Sequence, residues 1–107
     1  MTTKEVFDQL QDRLTQKTNT QLAGSTGVYQ FILTGDDAGD YCVRVSPDGA
    51  RVEAGKANDA GVTITMAAQD FKDLAEGKLN PMSAFMSGKL SVTGDMSMAL
   101  KLQTLIS

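Results

Sequence analysis

The sequence predicts an α+β fold, because helical, strand-like and again helical patterns follow one another along 107 residues. Apolar residues recur at helical spacing near the start, alternate with polar residues between positions 28 and 66, and then return to helical spacing. The length is typical of one domain, so we expect residues 1–107 to fold as a single unit. Apolar residues make up 41% of the chain, a share that suits a packed core and is too high for disorder.

The first predicted element is a helix that begins at Thr2. Thr2 and Glu5 have the spacing of a capping box, in which each satisfies a backbone N–H of the other. Four apolar side chains then fall on one helical face. They are Val6, Phe7, Leu10 and Leu14. Residues 15–27 are polar and contain glycine, so we expect the helix to end there and a loop to follow.

Four strands are predicted next. They cover 28–34, 41–45, 51–54 and 62–66. In the second strand Tyr41, Val43 and Val45 face one way, with Cys42 and Arg44 between them. The second and third strands are joined by a Ser-Pro-Asp-Gly segment, whose composition is typical of a tight turn. We interpret the four strands as an antiparallel meander with one apolar face.

The remaining chain is predicted to be mostly helical. The expected elements are a helix from Ala67 that Gly77 ends, a short helix from Pro81 that Gly88 ends, a strand at 90–92, and a helix over 96–106 that Asp95 caps. Asn80 before a proline is typical of a helix start, because the asparagine caps free N–H groups and proline suits the first helical position.

The last predicted helix is apolar over most of its circumference. Only Ser97, Lys101 and Thr104 form a narrow polar stripe, whereas a surface helix needs an apolar stripe only a little over ~100° wide. This wide apolar arc predicts deep burial, or contact with a partner, a membrane or a ligand. Five of the six methionines lie after residue 65, and the flexible methionine side chain suits adaptable apolar surfaces.

The residue types argue against catalysis. Histidine is absent, which removes the commonest general base and metal ligand and leaves Cys42 without a His partner. The acidic loop with Asp36, Asp37 and Asp40 lacks the spacing and the final Glu of a calcium loop, so a solvated turn is expected there. We expect no enzyme activity, no cofactor and no metal site.

Charge and cysteine usage favour a cytoplasmic protein that binds no nucleic acid. The net charge is −3 and no basic run is present. A lone cysteine cannot form an internal disulfide, which favours a reducing compartment. No stretch approaches the roughly 20 apolar residues of a membrane span, and the final Leu-Ile-Ser does not match the Ser-Lys-Leu peroxisomal address.

Residues 61–103 resemble the signature stretch of the sterol carrier protein type two family. The resemblance lies in the order of several segments rather than in any one of them. The segments are Gly61-Val62-Thr63-Ile64-Thr65-Met66, Asp70-Phe71, Leu74-Ala75-Glu76-Gly77-Lys78-Leu79-Asn80-Pro81, Ala84-Phe85-Met86-Ser87-Gly88-Lys89-Leu90-Ser91-Val92-Thr93-Gly94-Asp95-Met96 and Lys101-Leu102. The first sixty residues agree with the family in architecture but offer no comparable string.

The resemblance implies a five-stranded, mainly antiparallel sheet covered on one face by helices, with an apolar tunnel between them. It also implies non-catalytic binding of a fatty acid, fatty acyl-coenzyme A, sterol or phospholipid, and leaves open its transfer between membranes through a transient contact with a membrane surface. We expect a monomer or a weak homodimer. The alternative function is an interaction module that buries its apolar C-terminal helix against a second copy or a larger enzyme.

The predicted lipid-binding residues are large apolar side chains that follow the strands. The methionine enrichment, the wide arc of the last helix and the tunnel implied by the resemblance together select them. They are Phe71, Leu74, Met82, Phe85, Met86, Met98, Leu102 and Leu105. Periodicity alone favours the alternative, in which the same side chains form an ordinary packed core.

Overall fold

A computed structural model describes residues 2–16, 24, 26–99 and 101. Its elements, in chain order, are helix α1 (Thr3–Thr15), strands β1 (Gly27–Thr34), β2 (Gly39–Ser46), β3 (Gly49–Ala54) and β4 (Val62–Ala67), helices α2 (Ala68–Ala75) and α3 (Pro81–Met86), and strand β5 (Leu90–Gly94). Residues 96–99 and 101 are also helical. The rest of the helix predicted over 96–106, with Leu102 and Leu105, lies outside the described residues.

The five strands form one mixed sheet in the order β3-β2-β1-β4-β5. Three of the four strand pairs are antiparallel, and β1 pairs with β4 in parallel. The predicted five-stranded, mainly antiparallel sheet is therefore confirmed. The predicted meander is correct only for β1, β2 and β3, because β4 joins the other edge of β1 instead of continuing next to β3.

One face of the sheet holds the core. In the central strand Tyr29, Phe31 and Leu33 point to this face and are at most 3% exposed. Their partners on neighbouring strands continue the same buried rows. These partners include Val43, Val62, Ile64 and Met66, and Leu90 of β5 pairs in turn with Met66. The helices cover this face, since the ring of Phe7 in α1 contacts Phe31 at a centroid distance of 5.7 Å.

Helix α1 begins as its sequence predicts. The Thr2 side chain accepts a hydrogen bond from the Glu5 N–H at 3.2 Å, and the Glu5 carboxylate accepts one from the Thr2 N–H at 3.2 Å. The four predicted apolar residues of α1 are all buried. The capping box and the apolar face of α1 are therefore both confirmed.

Gln11 attaches α1 to the edge of the sheet. Its side-chain Nε2 donates to the carbonyl of Ala50 at 2.9 Å, and its Oε1 accepts from the N–H of Val52 at 2.6 Å. Both backbone groups belong to β3, which is an edge strand. The side-chain amide thus occupies two backbone groups of β3 that an added strand would use. Another chain therefore cannot pair with this part of the edge.

Asp37, in the turn between β1 and β2, joins three elements. Its carboxylate accepts from the N–H of Thr3, its carbonyl accepts from the Thr3 hydroxyl at 2.8 Å, and Lys72 of α2 lies 3.1 Å from the carboxylate. The backbone hydrogen bond from Thr3, followed by the contacts with Lys72, lowers the pKa of Asp37. The carboxylate therefore stabilises the fold above its unfolded pKa, and this contribution is lost as the pH falls through the lower folded pKa. The sequence predicts a solvated turn here, whereas the structure shows that Asp37 in this turn contacts both α1 and α2.

The chain crosses the other face of the sheet between β3 and β4, and Gln30 holds this crossing in place. Gln30 is 3% exposed on the face opposite Tyr29. Its Nε2 donates to the carbonyl of Gly55 at 3.1 Å, and its Oε1 accepts from the N–H of Ala57 at 2.7 Å. Arg44 on the same face forms an ion pair of 2.9 Å with Asp59. Residues 55–61 are therefore fixed across β1 and β2.

We expect Gln30→Ala to lower the free energy of unfolding by about 1–3 kcal/mol, because it leaves buried backbone groups of the crossing without partners. Gln9→Ala, on the exposed side of α1, is the matched control and should change stability by less than about 0.5 kcal/mol. Urea denaturation of both variants measures the difference. Equal effects would show that the crossing does not depend on Gln30.

Candidate functional site

The predicted lipid-binding residues of α2 lie in the packed core. Phe71 has no exposed surface, and Leu74 is 4% exposed. The ring of Phe71 stacks on Phe7 at a centroid distance of 4.6 Å and is T-shaped to the ring of Phe31 at 5.4 Å. Phe7 also stacks on Tyr41 at 4.2 Å. These ring contacts join α1 and α2 to the sheet. The proposed contact of Phe71 and Leu74 with a ligand stays a prediction.

The predicted residues of α3 face solvent instead. Met82, Phe85 and Met86 are 46%, 41% and 80% exposed. Their spacing of three and four residues puts them on one side of the helix, while Ala84 on the other side is fully buried. The packed-core interpretation is therefore wrong for these three side chains. Their place in the wall of a tunnel stays a prediction.

The local sequence explains why so short a helix forms. The side chain of Asn80 accepts hydrogen bonds from the N–H groups of Met82 at 2.9 Å and Ser83 at 3.3 Å. After the last turn, Gly88 has φ of 79°, a left-handed conformation that favours glycine. The predicted cap and the predicted stop are both confirmed, and they hold α3 in a fixed position beside β5.

Met98 is half-buried at the opposite end of β5 from α3. It packs on the start of β1 and β4, where Gly61 donates its N–H to the carbonyl of Val28 at 3.0 Å. A Cβ atom on Gly61 would lie 2.5 Å from the sulfur of Met98, and one on Gly27 would overlap its methyl group. The two glycines thus make room for this methionine. Between Met98 and α3 along the chain lies the five-residue strand β5.

The start of the last helix is as predicted. Asp95 accepts a hydrogen bond from the N–H of Ser97 at 2.8 Å, which confirms it as the cap. Asp95 also donates its own N–H to the carbonyl of Gly61 at 2.9 Å, so the cap is tied to the beginning of β4. Leu102 and Leu105, the last two predicted lipid-binding residues, lie outside the described part of the chain.

An open groove of about 550 Å³ lies at the hairpin between β2 and β3. The charged residues Arg44, Asp48, Arg51 and Glu53 line it together with small and apolar residues. Glu53 lies 3.4 Å from Arg44 and 3.9 Å from Arg51, so the charges largely neutralise one another. Three separate segments contribute to the groove, and no motif in the sequence marks it.

The structure places the one thiol of the chain and its acidic side chains. Cys42 is 3% exposed on the face crossed by residues 55–61, and burial is the main cause that raises the pKa of its thiol. A protonated, buried thiol is a poor nucleophile. Among residues 2–16, 24, 26–99 and 101, no group of three acidic or cysteine side chains could hold a metal ion. None of the helices in this part of the chain is long and apolar enough to cross a membrane.

Comparison with known proteins identifies the family. The model of the SCP-2 sterol transfer family matches residues 7–107. The chain is 37% identical over 105 residues to hydroxysteroid dehydrogenase-like protein 2 of Rattus norvegicus. The aligned region covers 97% of this chain and 20% of that protein. The chain belongs to the SCP-2 sterol transfer family, and it spans about a fifth of the length of the curated relatives that it matches.

Solved structures share the fold. Sterol carrier protein 2 from Yarrowia lipolytica, in its apo form, superposes with a TM-score of 0.79 at 25% identity, covering 94% of this chain and 86% of that one. Palmitated SCP2L2 from Aedes aegypti superposes with a TM-score of 0.84 at 20% identity, covering 99% of this chain and 95% of that one. The resemblance inferred from residues 61–103 and the α+β fold are both confirmed.

The different positions of Phe71 and Phe85 give a direct test. We expect Phe71→Ala to lower the free energy of unfolding by about 3–5 kcal/mol, as for a fully buried ring. Phe85→Ala should lower it by less than half of that amount, because part of its ring is already in water. Guanidinium denaturation of the two variants gives both values, and equal losses would place Phe85 in the core.

Proposed function

We propose that the chain binds a lipid without changing it chemically and carries it between membranes. The ligand is a fatty acid, fatty acyl-coenzyme A, sterol or phospholipid, held in an apolar tunnel between the sheet and the helices that follow β4. The observation that carries the proposal is the match of residues 7–107 to the SCP-2 sterol transfer family, and the exposed apolar side of α3 supports contact with an apolar ligand. Met82, Phe85 and Met86 are large side chains that the fold leaves in contact with solvent, and such exposure is typical of a binding surface.

The chemistry of these side chains suits a loosely specific lipid site. Methionine is flexible and polarizable, so it can repack around acyl chains of different shape. Burying an acyl chain gains about 0.8 kcal/mol per methylene, and ten methylenes gain about 8 kcal/mol before the costs of ordering are subtracted. This amount is comparable with micromolar binding, which corresponds to about −8 kcal/mol.

The names of the similar proteins support a lipid ligand. The Yarrowia protein is called a sterol carrier protein, and the Aedes protein was solved in a palmitated form. This chain therefore shares its fold with proteins whose names refer to a sterol and to a palmitoyl group. We further propose that the chain acts in the cytoplasm, as its single cysteine predicts.

We expect the delipidated chain to bind a fluorescent long-chain fatty acid with a Kd in the micromolar range or tighter. Met98→Gln should weaken this binding at least tenfold while lowering stability only modestly, because an amide in an empty ligand site can meet water. Met96→Gln is the matched control, since Met96 is 47% exposed and is not among the predicted lipid-binding residues.

Titration of each variant, together with its denaturation midpoint, separates the two interpretations of Met98. In a dry core the unpartnered amide would lower the free energy of unfolding by about 1–3 kcal/mol and leave the Kd of the folded protein unchanged. That outcome would remove Met98 from the site. If the wild-type chain shows no saturable binding of fatty acids, acyl-coenzyme A or sterols, the proposed function fails.

We also expect common carboxylic esters, thioesters and phosphoesters to remain intact in the presence of the protein. The chain has no histidine, and its one thiol is buried and protonated. Product analysis after long incubation measures this inertness. Turnover that a single substitution in this chain abolishes would show that the protein is an enzyme.

A further inference from the structure

The two edges of the sheet differ in how they are protected from other chains. At the edge formed by β3, the amide of Gln11 occupies backbone groups of the strand. β5 forms the other edge and pairs with β4 on one side only. Among residues 2–16, 24, 26–99 and 101, no side chain hydrogen-bonds to the backbone of β5. The strand reads Leu-Ser-Val-Thr-Gly, so it also lacks the proline or charged side chain that commonly protects an edge.

The large apolar side chains that remain exposed lie at both ends of β5. In the described part of the chain they are Met82, Phe85 and Met86 of α3, and Met96. Helix α3 leads into β5 and contacts it, and Met96 follows two residues after the strand ends. A cluster of exposed apolar side chains beside an unprotected edge is typical of a surface that another protein covers.

The sequence around β5 is complementary to a second copy of itself. When two copies pair antiparallel about Val92, this residue faces Val92 of the second copy, and Ser91 faces Thr93. Pairs of hydroxyl side chains in these positions are favourable. One step beyond each end of the strand, Lys89 faces Asp95 of the other copy. Both are exposed and form no ion pair within the described residues, so opposite charges meet at each end of the pairing.

We infer that β5 is a dimer interface, in which the strands of two copies pair antiparallel about Val92 and join the two sheets into one. The twofold symmetry makes every contact occur twice, so the pairing contains two ion pairs between Lys89 and Asp95. The inference goes beyond the proposed function, because lipid binding by a single chain requires no second copy.

The pairing about Val92 fits better than its neighbours. A shift by one residue would place the helices of the two copies on opposite faces of the joined sheet, whereas this pairing keeps Val92 of both copies on the helix-covered face. A shift by two residues keeps the faces but removes both contacts between Lys89 and Asp95. A standard interface buries roughly 800 Å² on each partner. A five-residue strand is short for that area, so we expect a dimer in equilibrium with the monomer.

Cysteine cross-linking tests the pairing residue by residue. Ser91→Cys mixed with a tagged Thr93→Cys should give a disulfide-linked heterodimer, because directly opposite Cβ atoms lie about 4.5–5.5 Å apart. Each variant alone should cross-link much less, since identical positions are then diagonal neighbours about 7–8 Å apart. Val92→Cys, at the centre, should cross-link with itself. Cys42 is 3% exposed and does not compete. Gln9→Cys, exposed on α1, is the control for random collision, and non-reducing gels measure all products.

Charge reversal tests the ion pairs without touching a predicted lipid-binding residue. Lys89→Glu should weaken the dimer about tenfold, because it replaces two attractive pairs by two repulsive ones. Adding Asp95→Ser to Lys89→Glu should restore much of the affinity, since the repulsion is removed and serine can still cap the last helix. Lys56→Glu changes the net charge equally but lies in the crossing over β1 and β2, so it should leave the dimer unchanged. Sedimentation equilibrium measures each Kd.

The outcomes decide the inference independently of lipid binding. Selective cross-linking of the mixed pair, or of Val92→Cys, together with loss of the dimer in Lys89→Glu would sustain it. A folded protein that stays monomeric over two decades of concentration would overturn it, whether or not fatty acid binds. Cross-linking of Gln9→Cys to the same extent, or equal weakening by Lys56→Glu and Lys89→Glu, would overturn it as well. Cross-linking of Ser91→Cys alone but not of the mixed pair would show a different register and overturn the pairing about Val92.

Discussion

The fold depends on how its central strand is paired. β1 has an antiparallel neighbour on one edge and a parallel neighbour on the other. After β3, which lies at an edge of the sheet, the chain therefore has to cross β2 and β1 before β4 can pair with β1. The crossing lies on the face opposite the helices and is fixed there by the buried amide of Gln30. Because β4 then runs parallel to β1, α2 begins at a defined end of the sheet, and α3 and β5 follow from that position.

Local patterns in the sequence predicted the elements well, and relations between distant segments less well. Thr2 with Glu5, Asn80 with its proline, and Asp95 act within a few residues, so their roles were predictable and are confirmed. The parallel direction of β4 was not, because the alternation of side chains is the same for either direction. Gln30 was missed for a related reason, since its burial is caused by a crossing about 25 residues further along the chain.

Some of the predicted site residues are buried under neighbouring elements, and others are exposed to solvent. Helical periodicity predicted that Phe71 and Phe85 both lie on apolar sides of helices, but periodicity does not tell which side meets the core. In α2 the apolar side packs on Phe7, whereas in α3 the small Ala84 is turned inward and the large side chains are left outside. Met98 could not be placed from its own neighbours, because the space that it fills is created by Gly27 and Gly61.

The parallel pair also governs the order in which the molecule can assemble. The strands β1, β2 and β3 are joined by short turns and can pair as soon as they are synthesised, whereas Tyr29 must wait for Val62, 33 positions later, to fill its other side. Until then one edge of the central strand is open to other chains. A growing chain is therefore most prone to aggregate after β3 and before β4 has left the ribosome, which is where we expect a chaperone to protect it.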